Sequence, residues 1–312
     1  MIQFRNICKN YGSKFVLNNI SFTIDKGEVF VLLGPSGCGK STTIKLINKL
    51  LVPDKGQIFI NNEDIASIND LDLRKKIGYV IQNVGLFPHM NVEKNIAIVP
   101  KLLRLDKDEI HKKVEYLLEF VGLDVQEFIH KYPSQLSGGE AQRVGVARAL
   151  AGNPEIILMD EPFGALDPVN RYKLQREFLK IKKKLDKTIV FVTHDIEEAI
   201  LLGDKIAIMD DGKIIQTGSP DEIVFHPKSS FISSFLRGEG ALLLLSKYKI
   251  GDMNLNGNAN LLNLPKLSNE NSLKEALAKI LETGSDYVAT EDKIISLSQI
   301  LEKVRMEKLN ED

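Results

Sequence analysis

The chain has 312 residues, enough for about two domains with cores of ordinary size. Its 41 basic and 42 acidic side chains nearly cancel, which excludes a global field that would draw nucleic acid. Two cysteines exclude a disulfide scaffold, and no apolar run approaches the roughly 18 residues of a membrane span, so work on a membrane must pass through a partner.

Ile2 to Ile7 and Ser21 to Ile24 carry apolar residues at strand spacing, with Tyr11-Gly12-Ser13 between them as a turn. Tyr11 is either an aromatic platform for a base or an ordinary packing residue, and as a lone tyrosine beside a turn it favours packing. Next come the apolar run Val29 to Leu33, the segment Gly34-Pro35-Ser36-Gly37-Cys38-Gly39-Lys40-Ser41-Thr42, and an amphipathic run from Thr43 to Leu51. Strand, glycine-rich turn and helix in that order predict a phosphate-binding loop, with G-x-x-x-x-G-K-[ST] matched at Gly34, Gly39, Lys40 and Ser41. Backbone N–H groups must turn inward around phosphate oxygens, which side chains would obstruct, and the helix start adds its own unpaired donors. Lys40 supplies a point charge for the β- and γ-phosphates, and the Ser41 hydroxyl suits Mg²⁺. Cys38 lies inside this loop, where a disulfide would obstruct the ligand, so a reducing, cytoplasmic setting is expected.

Gln57 to Ile60 and Ile77 to Ile81 are expected as strands, the second ending at Gln82, with a short basic helix or turn over Leu71 to Lys76. From Asn91 to Leu150 the pattern is helical and inserted between strands. Ile110, Val114, Leu117, Leu118 and Val121 fall on one helix face, and Gly122 follows as a stop. Leu136-Ser137-Gly138-Gly139-Glu140 opens the helix Ala141 to Leu150, where Ser137 and Glu140 form a capping box. The features that cap this helix also make it an anion site.

Glu155 to Met159 is expected as a buried parallel strand that delivers Asp160 and Glu161 to the carboxyl edge of the sheet. Adjacent carboxylates there need a cation or a proton. Asp160 fits a Mg²⁺ site and Glu161 fits the group that polarises an attacking water. Ala165-Leu166-Asp167-Pro168 reads as a turn into a helix burying Tyr172, Phe178, Ile181 and Leu185. Thr188 to Val192 is a further strand ending at Thr193-His194-Asp195, which places His194 at the same edge for a γ-phosphate contact. Lys205 to Met209 and Lys213 to Thr217 form a hairpin around Asp210-Asp211-Gly212, and Ser219-Pro220-Asp221-Glu222 caps a last helix.

The ordered set of phosphate loop, Gln82, L-S-G-G-E, I-I-L-M-D-E, A-L-D and His194 resembles the ATP-binding cassette (ABC) ATPases over residues 1–236. The resemblance implies an α/β P-loop cassette with a helical subdomain over about 89–150 and a small antiparallel β region. It also implies roles. Tyr11 becomes the adenine-stacking aromatic, Gly34 to Thr42 the ATP-binding loop, and Gln82 the Q-loop residue that shares Mg²⁺ with Ser41 and Asp160. Ser137, Gly138, Gly139 and Glu140 become the signature that closes on ATP held by a partner subunit, Glu140 standing where many members have glutamine. Glu161 becomes the catalytic base, Asp167 the D-loop residue and His194 the switch histidine. The implied assembly is a homodimer of cassettes that binds ATP and Mg²⁺ on the cytoplasmic face of the membrane. Integral-membrane permease subunits are the implied partners, a solute-binding protein acts indirectly, and nucleic acid plays no part.

Within that family, the run Lys76 to Met90, Glu93 to Pro100 and Glu140 to Arg148 is similar to the ATPases of quaternary-amine importers for glycine betaine, carnitine or choline. Such motifs read the permease contact surface. Importers of polyamines, methionine or anions are therefore the first rivals, and soluble ABC proteins of translation or DNA repair, which carry tandem cassettes or long coiled coils, the second. A catalytically dead cassette is opposed by the intact Lys40, Asp160, Glu161 and His194.

Residues 237–262, rich in Asn, Gly and Lys from Lys247 onward, are expected as a linker. Ser272 to Glu275 is a capping box, followed by a helix with Leu273, Ala276, Leu277, Ile280 and Leu281 on one face. Short strands at Tyr287 to Ala289 and Lys293 to Ser296 and a helix over Leu297 to Met306 complete residues 263–312. The pattern resembles a single CBS motif, a module that normally packs in pairs. Ser296-Leu297-Ser298-Gln299 lacks the acid that would bind ribose, so plain dimerisation stands beside sensing of a nucleotide or of ionic strength.

Overall fold

The computed structural model describes residues 1–12, 14–82, 85–164, 167–182, 185–236, 240–253 and 264–309. The expected turn residues Ser13, Ala165 and Leu166, the loop residues Asn83 and Val84, and residues 237–239 and 254–262 of the expected linker lie outside the described residues.

In chain order the elements begin with β1 (Ile2–Tyr11), β2 (Lys14–Ile24), β3 (Val29–Leu33), α1 (Lys40–Ile47), β4 (Lys55–Ile60), β5 (Glu63–Asp64), α2 (Asp70–Lys75) and β6 (Ile77–Val80). A helical block follows: α3 (Val92–Leu102), α4 (Lys107–Phe120), α5 (Val125–Phe128) and α6 (Gly138–Leu150). Then come β7 (Ile156–Asp160), α7 (Pro168–Lys182), β8 (Thr188–Thr193), α8 (Ile196–Leu202), β9 (Lys205–Asp210), β10 (Lys213–Gly218), α9 (Pro220–Phe225), α10 (Ser230–Phe235) and α11 (Gly240–Leu244). The chain closes with α12 (Leu273–Thr283), β11 (Tyr287–Ala289), β12 (Ile294–Ser296) and α13 (Leu297–Leu309).

One sheet has the order β10-β9-β3-β8-β7-β6, and β3, β8, β7 and β6 run parallel in it. Its central strands β3, β7 and β8 are buried at every residue, as unbroken apolar runs covered on both faces must be. The second sheet, β2-β1-β4-β5, is antiparallel. Phe4, Phe22 and Phe30 stack between the two sheets, at centroid separations of 4.4 and 5.2 Å, within one core cluster that also holds Ile44, Leu158 and Val192. The helical block joins β6 to β7 and buries Ile110, Val114, Leu117, Leu118 and Val121, the face expected from their spacing.

The helix after the phosphate loop starts at Lys40, three residues earlier than Thr43, because Gly39 at φ 109° turns the chain directly into it. On α7, Tyr172 is exposed instead of buried, and Leu174 and Gln175 are buried with Phe178. Tyr172 lies about 200° around the helix from Leu174, since each residue advances about 100°. Its hydroxyl accepts hydrogen bonds from the Arg176 guanidinium at 2.9 and 3.1 Å. Ile181 and Leu185 are only half-buried. The helix capped at Ser219 is not the last of its region, since α10 and α11 follow.

The described chain divides into two compact units, residues 1–195 with 207–214, and residues 196–206 with 215–312. The second unit has its own core of Leu245, Ile250, Leu273, Ala276, Ile280, Val288, Ile295 and Ile300. Leu245 and Ile250 belong to the stretch expected as linker, so its described part, 240–253, is packed structure. β11 and β12 form an antiparallel pair, and the capping box at Ser272 and Glu275 is present.

Candidate functional site

Register brings the chemistry to one edge. Leu33 of β3 pairs with Thr193 of β8, and Val192 of β8 pairs with Asp160 of β7. Val80 of β6 pairs with Met159. The next residues along each strand therefore emerge together at the carboxyl ends: Gly34, His194, Glu161 and, one step further, Gln82.

The phosphate loop is built tightly. A Cβ at Gly34 would overlap the Met209 carbonyl, and one at Gly39 would lie 2.8 Å from the Val16 carbonyl. Lys40 is 4% exposed, and its Nζ donates to the carbonyls of Gly34 at 2.7 Å and Pro35 at 2.9 Å. Its Nζ also lies 3.8 Å from Cys38 Sγ, and a buried ammonium held by carbonyl dipoles and a neutral thiol is stabilised further by an anion in the loop. Cys38 is buried under the loop, and burial pushes its thiol up. Pro35, Ser36 and Gly37 form the turn of the loop, and Thr42 continues α1 behind Ser41.

Ser41 Oγ donates to Asp160 Oδ1 at 3.0 Å. Asp160 is 7% exposed, and burial pushes its carboxyl above the usual range against the hydrogen bond from Ser41. The neighbouring Glu161 charge pushes the same way. Burial also pushes the Tyr79 hydroxyl up, so it remains a donor at neutral pH. A desolvated carboxylate next to a hydroxyl fits a hard divalent cation such as Mg²⁺, which takes few protein oxygens and completes its shell with water and phosphate. Among the described residues no group of three or more His, Cys, Asp or Glu is placed to hold a metal ion.

Glu161 lies just beyond β7 at φ 45°, an unusual angle for a residue with a side chain, and its N–H donates to the Val192 carbonyl at 3.0 Å. Gln82 Nε2 donates to Glu161 Oε2 at 3.1 Å, and His194 Nδ1 lies 3.3 Å from that oxygen. Three expected residues therefore meet at one atom. The Gln82 amide, expected to share the metal with Ser41 and Asp160, is engaged with Glu161, while Ser41 and Asp160 bond each other.

Other expected residues stand apart from this group. Tyr11 ends β1 and is half exposed. Ser137 and Glu140 bond each other at the start of α6, with Ser137 N donating to Glu140 Oε2 at 2.7 Å and Glu140 N to Ser137 Oγ at 3.4 Å. Gly138 and Gly139 open that helix. Asp167 caps α7, accepting from Val169 N and Asn170 N at 3.2 Å and from Asn170 Nδ2 at 2.6 Å. Among the described contacts, none ties Ser137, Glu140 or Asp167 to the phosphate loop.

Two residues not singled out from the sequence hold the loop after Gln82. Asn95 is fully buried; its Oδ1 accepts from Phe87 N at 2.8 Å, and its Nδ2 donates to the carbonyls of Phe87, Met90 and Asn91 at 3.2, 2.9 and 3.0 Å. Arg148, on the helix opened by Ser137, donates from Nη1 to the Gly85 carbonyl at 2.7 Å. A groove lined by Arg74, Tyr79, Gly85, Phe87, Val99 and Arg148 opens beside this loop. The one sequence signal for Asn95 is an amide on the otherwise apolar buried face of α3.

A parallel sheet with a phosphate loop, a buried hydroxyl–carboxylate pair and a glutamate at its carboxyl edge defines a P-loop ATPase cassette. The family model described as "ABC transporter" matches residues 17–164. The chain is 45% identical over 258 residues to the osmoprotectant import ATP-binding protein OsmV of Salmonella typhimurium, covering 81% of this chain and 68% of that protein. It is 50% identical over 237 residues to the carnitine transport ATP-binding protein OpuCA of Listeria monocytogenes, where it spans only 59% of the relative's length. With the glycine betaine uptake system ATP-binding protein YehX of Escherichia coli it shares 41% identity over 294 residues, 92% of this chain and 93% of that protein. Among solved structures, the dimeric post-hydrolysis state of the ATP-binding cassette MJ0796 bound to ADP and Pi is 34% identical with a TM-score of 0.62, covering 70% of this chain and 98% of that one. The protein cbiO1 of Clostridium perfringens, part of the ABC transporter complex cbiONQ, is 31% identical with a TM-score of 0.66, covering 76% and 94%. The chain belongs to the ABC transporter family, as an ATP-binding subunit.

Proposed function

We propose that this chain hydrolyses ATP to drive import of a quaternary amine such as glycine betaine, carnitine or choline. The observation that carries the ATPase half is the meeting of Gln82 and His194 on Glu161 next to the Ser41–Asp160 pair. The solute class is supported by the names of OsmV, OpuCA and YehX and by the match to YehX over nearly both full lengths.

In this reading the loop amides and Lys40 bind the β- and γ-phosphates, and Tyr11 stacks on the adenine. Ser41 and Asp160 hold Mg²⁺, which when bound neutralises charge on the phosphate oxygens. Glu161 accepts a hydrogen bond from the water that attacks the γ-phosphorus and takes its proton, while His194 and Gln82 keep its carboxylate aimed. Among the described contacts the signature residues Ser137 to Glu140 bond each other and not their own phosphate loop, which suits closure on ATP held by a second copy arranged head to tail. Such a dimer on the cytoplasmic face of the membrane would receive the permease in the groove beside Gly85 and Phe87, with Gln82 carrying its occupancy to Glu161. Among the described residues no helix is long and apolar enough to cross a membrane. The C-terminal elements support a single CBS-like module that pairs with its copy.

The test is uptake of labelled glycine betaine and choline at high osmolarity in cells whose only copy is wild type or Glu161→Gln. Uptake should fall in the mutant, with labelled methionine and spermidine unaffected. Quaternary-amine uptake indifferent to Glu161 would remove the solute assignment.

A further inference from the structure

Gln142, on the helix opened by Ser137, is 4% exposed, and among the described residues its Nε2 has no hydrogen-bond partner. Arg143 beside it uses two of its three nitrogens. Its Nη2 meets Glu177 Oε2 at 2.6 Å and its Nη1 donates to the Gly122 carbonyl at 3.2 Å, while the buried Nε has no partner among the described residues. Gln142, Arg143 and Glu177 all line one cavity of about 30 Å³. Its apolar walls include Val146 of α6, Met159 of β7, and Leu174 and Phe178 of α7. Pro162 and Phe163, the residues that follow Glu161, line it as well. Helix phase brings the amide here: Gln142 lies one turn before Val146 on α6, so the two share a face.

A buried amide donor among apolar walls costs free energy unless something accepts from it. A cavity of this size has room for about one or two waters, and a buried water needs two to four polar partners. The two unpartnered donors and the Glu177 carboxylate supply that number.

We propose that this cavity is an internal hydration site, in which water accepts from Gln142 Nε2 and Arg143 Nε and donates to the Glu177 carboxylate, joining α6 to α7 beside the segment that follows Glu161. Two donors suit an anion in geometry, but the Arg143 charge is already met by Glu177. A buried anion would therefore leave one negative charge uncompensated among apolar side chains. Water carries no charge and donates as well as accepts, so it satisfies the carboxylate and both nitrogens together.

The experiment is a crystal structure of the full chain, as wild type and Gln142→Met, at a resolution that shows ordered waters and with bromide as the halide. Methionine keeps the length of the side chain and removes its donor. The wild type is expected to show a water within hydrogen-bond distance of Gln142 Nε2 and Arg143 Nε, with no anomalous bromide peak there. Gln142→Met is expected to lose that water and keep the Arg143–Glu177 pair. A bromide peak in the cavity makes it an anion site and overturns the proposal. So does a wild-type cavity without water density, or a Gln142 Nε2 bonded to a protein group. Water density unchanged in Gln142→Met overturns the part given to Gln142. Should Gln142→Met fail to fold, the wild type decides in solution: the side-chain amide protons of isotope-labelled Gln142 should show a nuclear Overhauser contact to water with the sign of a long-lived bound molecule, and absence of that contact overturns the site.

Discussion

His194 Nδ1 lies 3.3 Å from Glu161 Oε2, the same carboxylate oxygen that accepts the Gln82 amide. Two residues from different strand ends thus act through one atom, and their effects on turnover should not add. Glu161→Gln is expected to lower steady-state hydrolysis by about 10²-fold or more, with ATP affinity retained. His194→Ala should cost about 10-fold or more alone and little further in the Glu161→Gln background. Unchanged hydrolysis in Glu161→Gln would remove it as the base.

Asp160 offers a test in which stability and metal binding move in opposite directions. Burial raises its folded pKa above the unfolded value, so the folded chain holds this proton more tightly. Its contribution to stability therefore grows as pH falls through the raised folded pKa and is lost at higher pH, where the buried carboxylate is ionised. Asp160→Asn removes that buried charge while keeping an acceptor for Ser41. The ligand-free melting temperature at pH 7 should rise by about 2 °C or more, while Mg²⁺-dependent nucleotide binding is lost. A lower melting temperature by calorimetry contradicts the burial argument.

Ser137 serves the fold as well as the expected signature. Its hydroxyl accepts from Glu140 N and its own N–H donates to Glu140 Oε2. Ser137→Ala should cost about 1 kcal/mol, read by denaturant unfolding. Glu140→Gln keeps both halves of the box and should change stability by only a few tenths of a kcal/mol at pH 7. The Glu140 carboxyl is held below its usual range, first by the Ser137 N–H. Its contribution is present above the unfolded pKa and is lost as pH falls through the folded one. The wild type should therefore lose stability relative to Glu140→Gln in acid.

Asn95 fastens the loop that follows Gln82. Asn95→Ala removes the acceptor of the Phe87 N–H and a donor to the Met90 carbonyl, while the Phe87 carbonyl keeps the Met90 N–H, which should cost about 2–4 kcal/mol. At a temperature where the variant is folded, ATP affinity of the chain should be unchanged, while stimulation of hydrolysis by the assembled transporter falls. Normal stimulation would assign Asn95 to stability alone.

Much of this was readable in one dimension. The phosphate loop, the buried run ending in Asp160-Glu161, the α4 stripe and the capping boxes at Ser137, Ser219 and Ser272 are all set by residues within a few positions of one another. Chain geometry at that range depends on local hydrogen bonds and periodicity. Hence the sequence alone determined the P-loop class and the helical block, and it singled out Lys40, Ser41, Gln82, Asp160, Glu161 and His194 as the residues to expect at one sheet edge. What it could not supply was contact between distant segments. The phase of α7 that exposes Tyr172, the packing of Leu245 and Ile250 into the C-terminal core, the grip of Asn95 on Phe87 and the meeting of Gln82 and His194 on Glu161 follow from strand register and burial. Those are decided only when separate elements pair and exclude water together.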